Sequence, residues 1–262
     1  MRAVLAVLLM LGVAGLASAG PFEDGEAAFR RQDYATALSL WRPLAVEGSA
    51  PAQINLGVMY DQGQGVPQDN VEAVKWYRLA AVQGHPEAQS NLGVMYGNGR
   101  GVRRDFAEGL NWFRLAADGG YAPAQFNLGV MYDNGRGVPK DHVAALKWYR
   151  LAAAQGYAPA QYSVGVTYEF GRGVALDFAA AAQWYRLAAA QGHPDAQFNL
   201  GILFDQGHGV PKDYVQAVMW YILAELGGQR DAARERADIE SKMTPGQSAE
   251  ARRRAAAWKP AR

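Results

Sequence analysis

Four histidines are the residues of this chain that could hold a metal ion or transfer a proton near neutral pH. They occur singly and form no HExxH motif, the spacing that sets two imidazoles on one helix face for zinc. They are His85, His142, His193 and His208. His85 and His193 share a repeating position with Tyr121 and Tyr157, which is typical of packing. Because the chain also has no cysteine, we expect no metal and no cofactor.

Three other catalytic patterns fail on their sequence context. No serine lies in a Gly-x-Ser-x-Gly elbow. Gly-x-Gly recurs, but no Lys-Ser/Thr follows it, so a helix cap with a tight turn is favoured over a phosphate loop. Carboxylates recur at one position, namely Asp61, Asp133, Glu169 and Asp205, with Gly97 interrupting the series. Neighbouring helices stand about 8–10 Å apart, which is wide for a paired acid and base. We therefore expect no catalytic residue.

One recurring set of polar residues has the chemistry to bind a peptide. These residues are Asn55, Asn91, Asn127 and Asn199, and Ser163 stands at the remaining position of the series. An asparagine amide both donates and accepts hydrogen bonds, so a row of them can hold a peptide backbone whatever its sequence. The alternative is that these amides bond backbone groups of neighbouring helices. The sequence leaves both roles open, and the four asparagines are our predicted partner-binding residues.

The elements that position these residues repeat every 36 residues. Five tryptophans mark the period, at Trp76, Trp112, Trp148, Trp184 and Trp220. Glycine, aspartate and glutamine series keep the same step without an insertion. A fixed period of this size indicates a repeat architecture. We place repeats one to five at 51–86, 87–122, 123–158, 159–194 and 195–230.

Each repeat is predicted to be a helical hairpin. In repeat one, Pro51 suits the first turn of a helix and Gly63 suits a left-handed cap at its end. Asp69 is the predicted N-cap of the second helix, and Glu72 completes a capping box, as Glu108 and Gln216 do in other repeats. Strand-like alternation is absent. A glycine in the middle of every first helix predicts a close helix–helix contact, since it costs roughly 1 kcal/mol relative to alanine.

These residues resemble one known family. The unit Ala88-Gln89-Ser90-Asn91-Leu92-Gly93-Val94-Met95-Tyr96, followed by Gly99-Arg100-Gly101-Val102, Asp105 and Trp112-Phe113-Arg114-Leu115-Ala116-Ala117, is similar to the Sel1-like repeat. That family is related to tetratricopeptide repeats. The resemblance implies an all-α fold, a right-handed superhelix (solenoid) of helix-turn-helix repeats.

The two ends depart from the repeat. Residues 1–19 have a positive start, an apolar run and small residues at Ala17-Ser18-Ala19, the pattern of a cleaved secretory signal peptide. Residues 20–50 are predicted to be a degenerate N-terminal capping repeat. Residues 231–262 are predicted to be C-terminal capping helices with a basic tail, in which Thr244 and Gln247 form a capping box.

The resemblance implies a scaffold or adaptor that binds a protein or peptide on the concave face of the solenoid. Cysteine-rich relatives described as β-lactamase-like or penicillin-binding suggest a cell-wall hydrolase as the alternative, which the absence of cysteine and of a nucleophile motif disfavours. We expect an exported monomer, periplasmic or secreted, without a membrane segment after cleavage. A net charge of +1 gives no support to nucleic-acid binding. The tail, with Arg252-Arg253-Arg254, offers a weak contact for an anionic surface or, alternatively, a solvated helix face.

Overall fold

The chain is all-α in the computed structural model, which describes residues 20–261. The predicted signal peptide at 1–19 lies outside these residues. Within them there are fourteen helices and no strand. They are α1 (Pro21–Arg30), α2 (Tyr34–Val46), α3 (Ala50–Gln62), α4 (Asn70–Val82), α5 (Pro86–Asn98), α6 (Phe106–Asp118), α7 (Ala122–Asn134), α8 (His142–Ala154), α9 (Ala158–Glu169), α10 (Phe178–Ala190), α11 (Pro194–Gln206), α12 (Tyr214–Leu226), α13 (Ala232–Glu240) and α14 (Pro245–Ala257). The predicted fold class is confirmed.

The chain forms two compact units, one up to Leu79 and the other from Ala80 onward. None of the helices in the described part of the chain has the length and apolar character that a membrane crossing needs. In the first unit α1 and α2 form a hairpin whose centre is Trp41, a fully buried side chain. The Trp41 indole N–H donates to the Phe22 carbonyl at 3.1 Å.

The second unit stacks helical hairpins one after another. The hairpins α5–α6, α7–α8, α9–α10 and α11–α12 each pack internally, and the second helix of one packs against the first helix of the next. Each hairpin turns tightly because the first glycine of its Gly-x-Gly loop is left-handed, with φ +70° at Gly99 and +68° at Gly135. The aspartate that follows the loop donates its N–H back to the first helix, as Asp141 does to the Tyr132 carbonyl at 2.9 Å.

The aspartate caps are confirmed, but the predicted capping boxes are wrong in the two repeats where glutamate would complete them. Asp69 and Asp105 each accept two backbone N–H groups at the start of the second helix. Glu72 instead pairs with Lys75 at 2.7 Å, and Glu108 accepts the Trp112 indole N–H at 2.9 Å. Each glutamate side chain thus bonds a residue about one turn further along the helix instead of the N-cap backbone. Repeat five likewise shows only the Asp213 cap of the Gln216 N–H.

A glycine in the first helix of every repeat lies against an aromatic ring of the second helix. A Cβ atom added at these glycines would come within 3.0 Å of the ring. The pairs are Gly57 with Tyr77, Gly93 with Phe113, Gly129 with Tyr149, Gly165 with Tyr185 and Gly201 with Tyr221. These rings are buried, whereas the neighbouring tryptophans that mark the period are only half-buried. The predicted close contact is therefore made by the residue after each tryptophan.

The second glycine of the loop packs against the preceding repeat. A Cβ at Gly137 would lie 2.7 Å from the Phe106 carbonyl oxygen, and one at Gly173 would lie 2.7 Å from the His142 carbonyl carbon. Both positions also have left-handed φ, +73° and +70°. The loops of repeats three and four thus rest directly on the backbone at the start of the preceding second helix.

The C-terminal helices cover the last repeat. Met219 and Ile222 replace the exposed Lys147 and Arg150 of repeat three, and Met219 and Leu223 pack under Ala255 and Trp258. α13 packs on α12 and contributes Ile239 to the core. The predicted capping box of Thr244 and Gln247 is confirmed at the start of α14.

We expect Gly129→Ala to lower the free energy of unfolding by about 2 kcal/mol, because its Cβ would lie 2.5 Å from the Tyr149 ring and overpack the hairpin. Gly246→Ala is the matched control, because a Cβ there meets nothing within 4 Å. Thermal unfolding followed by circular dichroism measures both variants. Equal melting temperatures for Gly129→Ala and the control would contradict the packing role.

Candidate functional site

The predicted binding asparagines all lie on first helices and are half-buried. Asn55 is on α3, Asn91 on α5, Asn127 on α7 and Asn199 on α11. The Asn199 amide donates to the Tyr185 hydroxyl at 3.1 Å. The side-chain amides of the other three have no hydrogen-bond partner within residues 20–261. Three of the four predicted residues therefore keep their donors and acceptors unused by the protein itself.

A glutamine two residues before each asparagine position ties neighbouring helices together. Its side-chain N–H donates to a backbone carbonyl eight residues earlier, near the end of the preceding helix. The bonds are Gln53 to Ala45 at 3.0 Å, Gln89 to Ala81 at 3.2 Å, Gln125 to Ala117 at 3.2 Å, Gln161 to Ala153 at 3.3 Å and Gln197 to Ala189 at 3.2 Å. All five glutamines are buried. The inter-helix role that the sequence left open for asparagine is thus filled by glutamine.

The side-chain oxygens of Gln125 and Gln161 are used as well. Gln155 donates to the Gln125 side-chain oxygen at 2.8 Å, and Gln191 donates to that of Gln161 at the same distance. Buried amides of this kind are costly to leave unpaired, so the hydrogen bond that each of the five makes to the preceding helix marks them as structural. In the sequence the glutamine series marks the 36-residue period and does not by itself indicate a binding or packing role. The signal that separates it from the asparagine series is that glutamine has no exception, whereas Ser163 interrupts the asparagines.

The recurring carboxylates face the buried tyrosines of the same repeat. The Tyr185 hydroxyl donates to Glu169 in a short hydrogen bond and accepts from Asn199. Burial raises the pKa of Tyr185 well above its usual range, and the neighbouring charge of Glu169 raises it further. Tyr185 therefore stays protonated at neutral pH and acts as a donor. In repeat three, His142 Nδ1 lies 2.6 Å from Asp133 Oδ1.

Repeat two lacks both members of this tyrosine–carboxylate pair. Phe113 stands where the other repeats have tyrosine, and Gly97 stands where they have aspartate or glutamate. Asn127 occupies the position of Asn199 and therefore has no hydroxyl to bond. A Cβ at Gly97 would meet nothing within 4 Å, so the space normally filled by the carboxylate is open.

A cavity of about 120 Å³ occupies this place between α5, α6 and α7. Its apolar wall comes from Phe113, Phe106, Val130 and Met131, together with Val94. Its polar lining is Asn98, Asn127 and Arg136.

The corresponding cavity one repeat later, of about 130 Å³, carries the hydroxyl and the carboxylate that repeat two lacks, since Tyr149 and Asp133 line it. Its other lining residues are Tyr162, Ser163, Val166, Thr167 and Arg172. The cavity of repeat two thus lacks this pair and is lined by a residue with an unused amide, Asn127.

The histidines serve packing where the structure gives them contacts. His193 caps α11 by accepting the Ala196 N–H at 3.3 Å, and its ring stacks on Tyr162 with centroids 4.8 Å apart. His208 stacks on Phe178. Across residues 20–261 no three histidine, aspartate or glutamate side chains are grouped as a metal site.

A family model described as Sel1 repeat matches five successive segments, at 50–85, 86–121, 122–157, 158–193 and 194–228. The chain is similar to the solved structure of a protective antigen present in uropathogenic Escherichia coli strains, which displays an SLR fold. That match has 37% identity and a TM-score of 0.78, and it covers 90% of this chain and 52% of the antigen. The chain thus spans about half the length of the antigen.

Two further structures are similar over most of their own length. A Sel1 repeat protein from Oxalobacter formigenes is 29% identical with a TM-score of 0.77, covering 94% of this chain and 100% of that one. An immunity protein from Pseudomonas aeruginosa is 26% identical with a TM-score of 0.57, covering 78% of this chain and 81% of that one. No curated protein matches the chain.

We expect the stability of the protein to fall as the pH drops below about 6.5, in part through His193. Burial lowers the pKa of the His193 imidazole, so below the ordinary histidine pKa the unfolded chain binds a proton that the folded protein excludes. His193→Tyr, the residue found at this position in other repeats, should reduce the loss of melting temperature between about pH 7.5 and about pH 5.

Tyr157→His is the reverse variant, because Tyr157 holds the same repeat position and packs on Phe126. It should add pH dependence. Equal losses of melting temperature for the wild type and His193→Tyr between about pH 7.5 and about pH 5 would contradict the role assigned to His193.

Proposed function

The chain belongs to the Sel1 repeat family, whose members are generally protein–protein interaction scaffolds, and on that basis we propose that it binds a peptide or protein segment along its first helices. A Sel1 repeat is a helical hairpin that leaves one helix face uncovered when hairpins stack, and such faces serve as extended binding surfaces. The partner is a protein or peptide. The binding face is the concave one, to which the first helix of each repeat contributes.

The observation that carries this proposal is that the glutamine series and the asparagine series have different roles. The glutamines are buried and each bonds the end of the preceding helix, whereas Asn55, Asn91 and Asn127 are half-buried with unused amides. An amide that is partly exposed and unpaired can bond a partner backbone without breaking any bond of the fold. Asn199 keeps an acceptor for a partner while donating to Tyr185.

The proposed role is non-catalytic. The family is generally a non-catalytic scaffold. The carboxylates that could supply an acid or a base are engaged with neighbours, Glu169 with Tyr185 and Asp133 with His142.

We propose further that the protein is exported and works as a monomer in the periplasm or outside the cell. The support is the signal-peptide pattern of residues 1–19. The basic tail contributes at most weakly to binding an anionic surface, because its arginines are paired. Arg252 bonds Glu240 at 3.0 Å, and Arg253 and Arg254 both bond Glu250.

We expect simultaneous Asn55→Ala, Asn91→Ala and Asn127→Ala to weaken partner binding without lowering the melting temperature. The measurement is affinity capture from the envelope fraction, with each captured protein quantified by mass spectrometry against the wild type. Gln125→Ala is the matched amide control. It should lower the free energy of unfolding by about 1–3 kcal/mol, because it removes the buried hydrogen bond to the Ala117 carbonyl and the acceptor of the Gln155 amide. Identical captured sets for the wild type and the triple variant would contradict the proposed surface.

We expect the exported protein to begin at Gly20 when its N-terminus is sequenced after expression of the full chain. Leu9→Arg places a charge in the apolar run and should leave the protein uncleaved in the cytoplasm. A full-length N-terminus in the exported fraction would contradict cleavage after Ala19.

A further inference from the structure

The cavity of repeat two differs from its counterparts in a way that points to a particular kind of partner. Four repeats combine a tyrosine hydroxyl with a carboxylate, and repeat two alone replaces both, with Phe113 and Gly97. The two replacements remove a donor and its acceptor together, so no buried polar group is left orphaned by the change. What remains is an apolar space that opens beside Asn127.

The size of the cavity fits an aliphatic side chain. A cavity of about 150 Å³ with apolar walls is large enough to hold benzene. The space here is about 120 Å³, with Phe106, Phe113, Val130 and Met131 around it. A leucine, isoleucine or valine side chain fills such a space, whereas the indole of tryptophan exceeds it.

The polar groups at the cavity suit the backbone next to that side chain. The Asn127 amide lines the cavity and, unlike Asn199, has no tyrosine hydroxyl to bond. One donor and one acceptor at this place match the N–H and C=O of an extended peptide whose side chain enters the cavity.

The charge around the cavity is positive. The Arg136 guanidinium lines it and has no carboxylate partner in the described part of the chain. Arg104 lies over the Phe106 ring at 5.4 Å, and Arg103 is exposed beside it. The other repeats have no arginine pair at this loop position, where their residues are Pro67-Gln68, Pro139-Lys140, Ala175-Leu176 and Pro211-Lys212. Two carboxylates of repeat two make hydrogen bonds within the fold, Asp105 as the cap of α6 and Glu108 with the Trp112 indole.

We propose that this cavity is the specificity pocket of the protein and that it accepts one aliphatic side chain from an acidic, extended segment of a partner protein. The proposal rests on the function proposed above and names the chemistry of the partner. The cavity binds the side chain, Asn127 bonds the adjacent backbone, and Arg136 with Arg103 and Arg104 attracts the flanking carboxylates. Complementary charge of this kind contributes to selection of the partner and to its rate of association.

The test is selection of a random library of peptides about twelve residues long, displayed on phage, against three purified full-chain proteins. They are the wild type, the double variant Gly97→Asp with Phe113→Tyr, and the control Asn111→Asp. The double variant restores the pair that the other four repeats carry, and nothing lies within 4 Å of a Cβ at Gly97. The control adds the same charge at an exposed residue of α6.

We expect the wild type and Asn111→Asp to enrich peptides in which an aliphatic residue stands within about three positions of Asp or Glu. The double variant should not enrich them. A synthetic peptide of the enriched sequence, measured by fluorescence polarisation, should bind at least about tenfold more weakly when its aliphatic residue is replaced by serine. Arg136→Ala should weaken binding of the synthetic peptide severalfold, and added salt should reduce the difference in affinity between this variant and the wild type.

Three results would contradict the proposal. If the wild type and the double variant enrich the same peptides, the cavity does not select the partner, although peptide binding itself stands. If the enriched peptides are basic, the assigned charge of the partner is wrong. A wild type that enriches no peptide at all overturns the pocket and the peptide-binding function together.

Discussion

The contact between a glycine backbone and an aromatic ring, made once in every repeat, sets the distances on which the rest of the structure depends. Because no side chain separates the two helices of a hairpin at Gly129 or Gly165, the ring of Tyr149 or Tyr185 lies directly on the first helix. The hydroxyl then reaches the end of that helix, where the carboxylate is placed. Where the ring is Phe113, the same close packing brings no hydroxyl to this place, and the ring lines a cavity.

Features that depend on local backbone chemistry were predictable from the sequence. The period, the hairpins, the left-handed loop glycines and the aspartate caps all follow from residue type and spacing. The role of the glutamates at the predicted capping boxes was not predictable, because Lys75 and Trp112 compete for the carboxylates only once the helix has formed. Each second helix carries a tryptophan followed by a tyrosine or phenylalanine. Which of the two rings is buried depends on how the helix is rotated about its own axis. A stripe of adjacent apolar residues does not specify that rotation.

The candidate site was predictable in part. Asparagine and glutamine carry the same amide, and only the orientation of the first helix decides which series is buried against the preceding helix. The buried series has no exception, since each of its amides bonds the end of the preceding helix, and this distinguishes it from the asparagines. Gly97 and Phe113 are visible in the sequence as two separate departures from the repeat. Their common effect appears only when the folded chain brings them to one place.

The apolar outer face of α12 has a consequence for how an array like this one changes in length. An internal repeat, such as 122–157, presents lysine and arginine to solvent on its second helix, and a duplicated copy would meet neighbours like its own. A duplicated fifth repeat inside the array would present Met219 and Ile222 without the helix that covers them. Gain or loss of repeats is therefore confined to the repeats before the last. The number of repeats is free to vary while the C-terminal end that covers the last one stays the same.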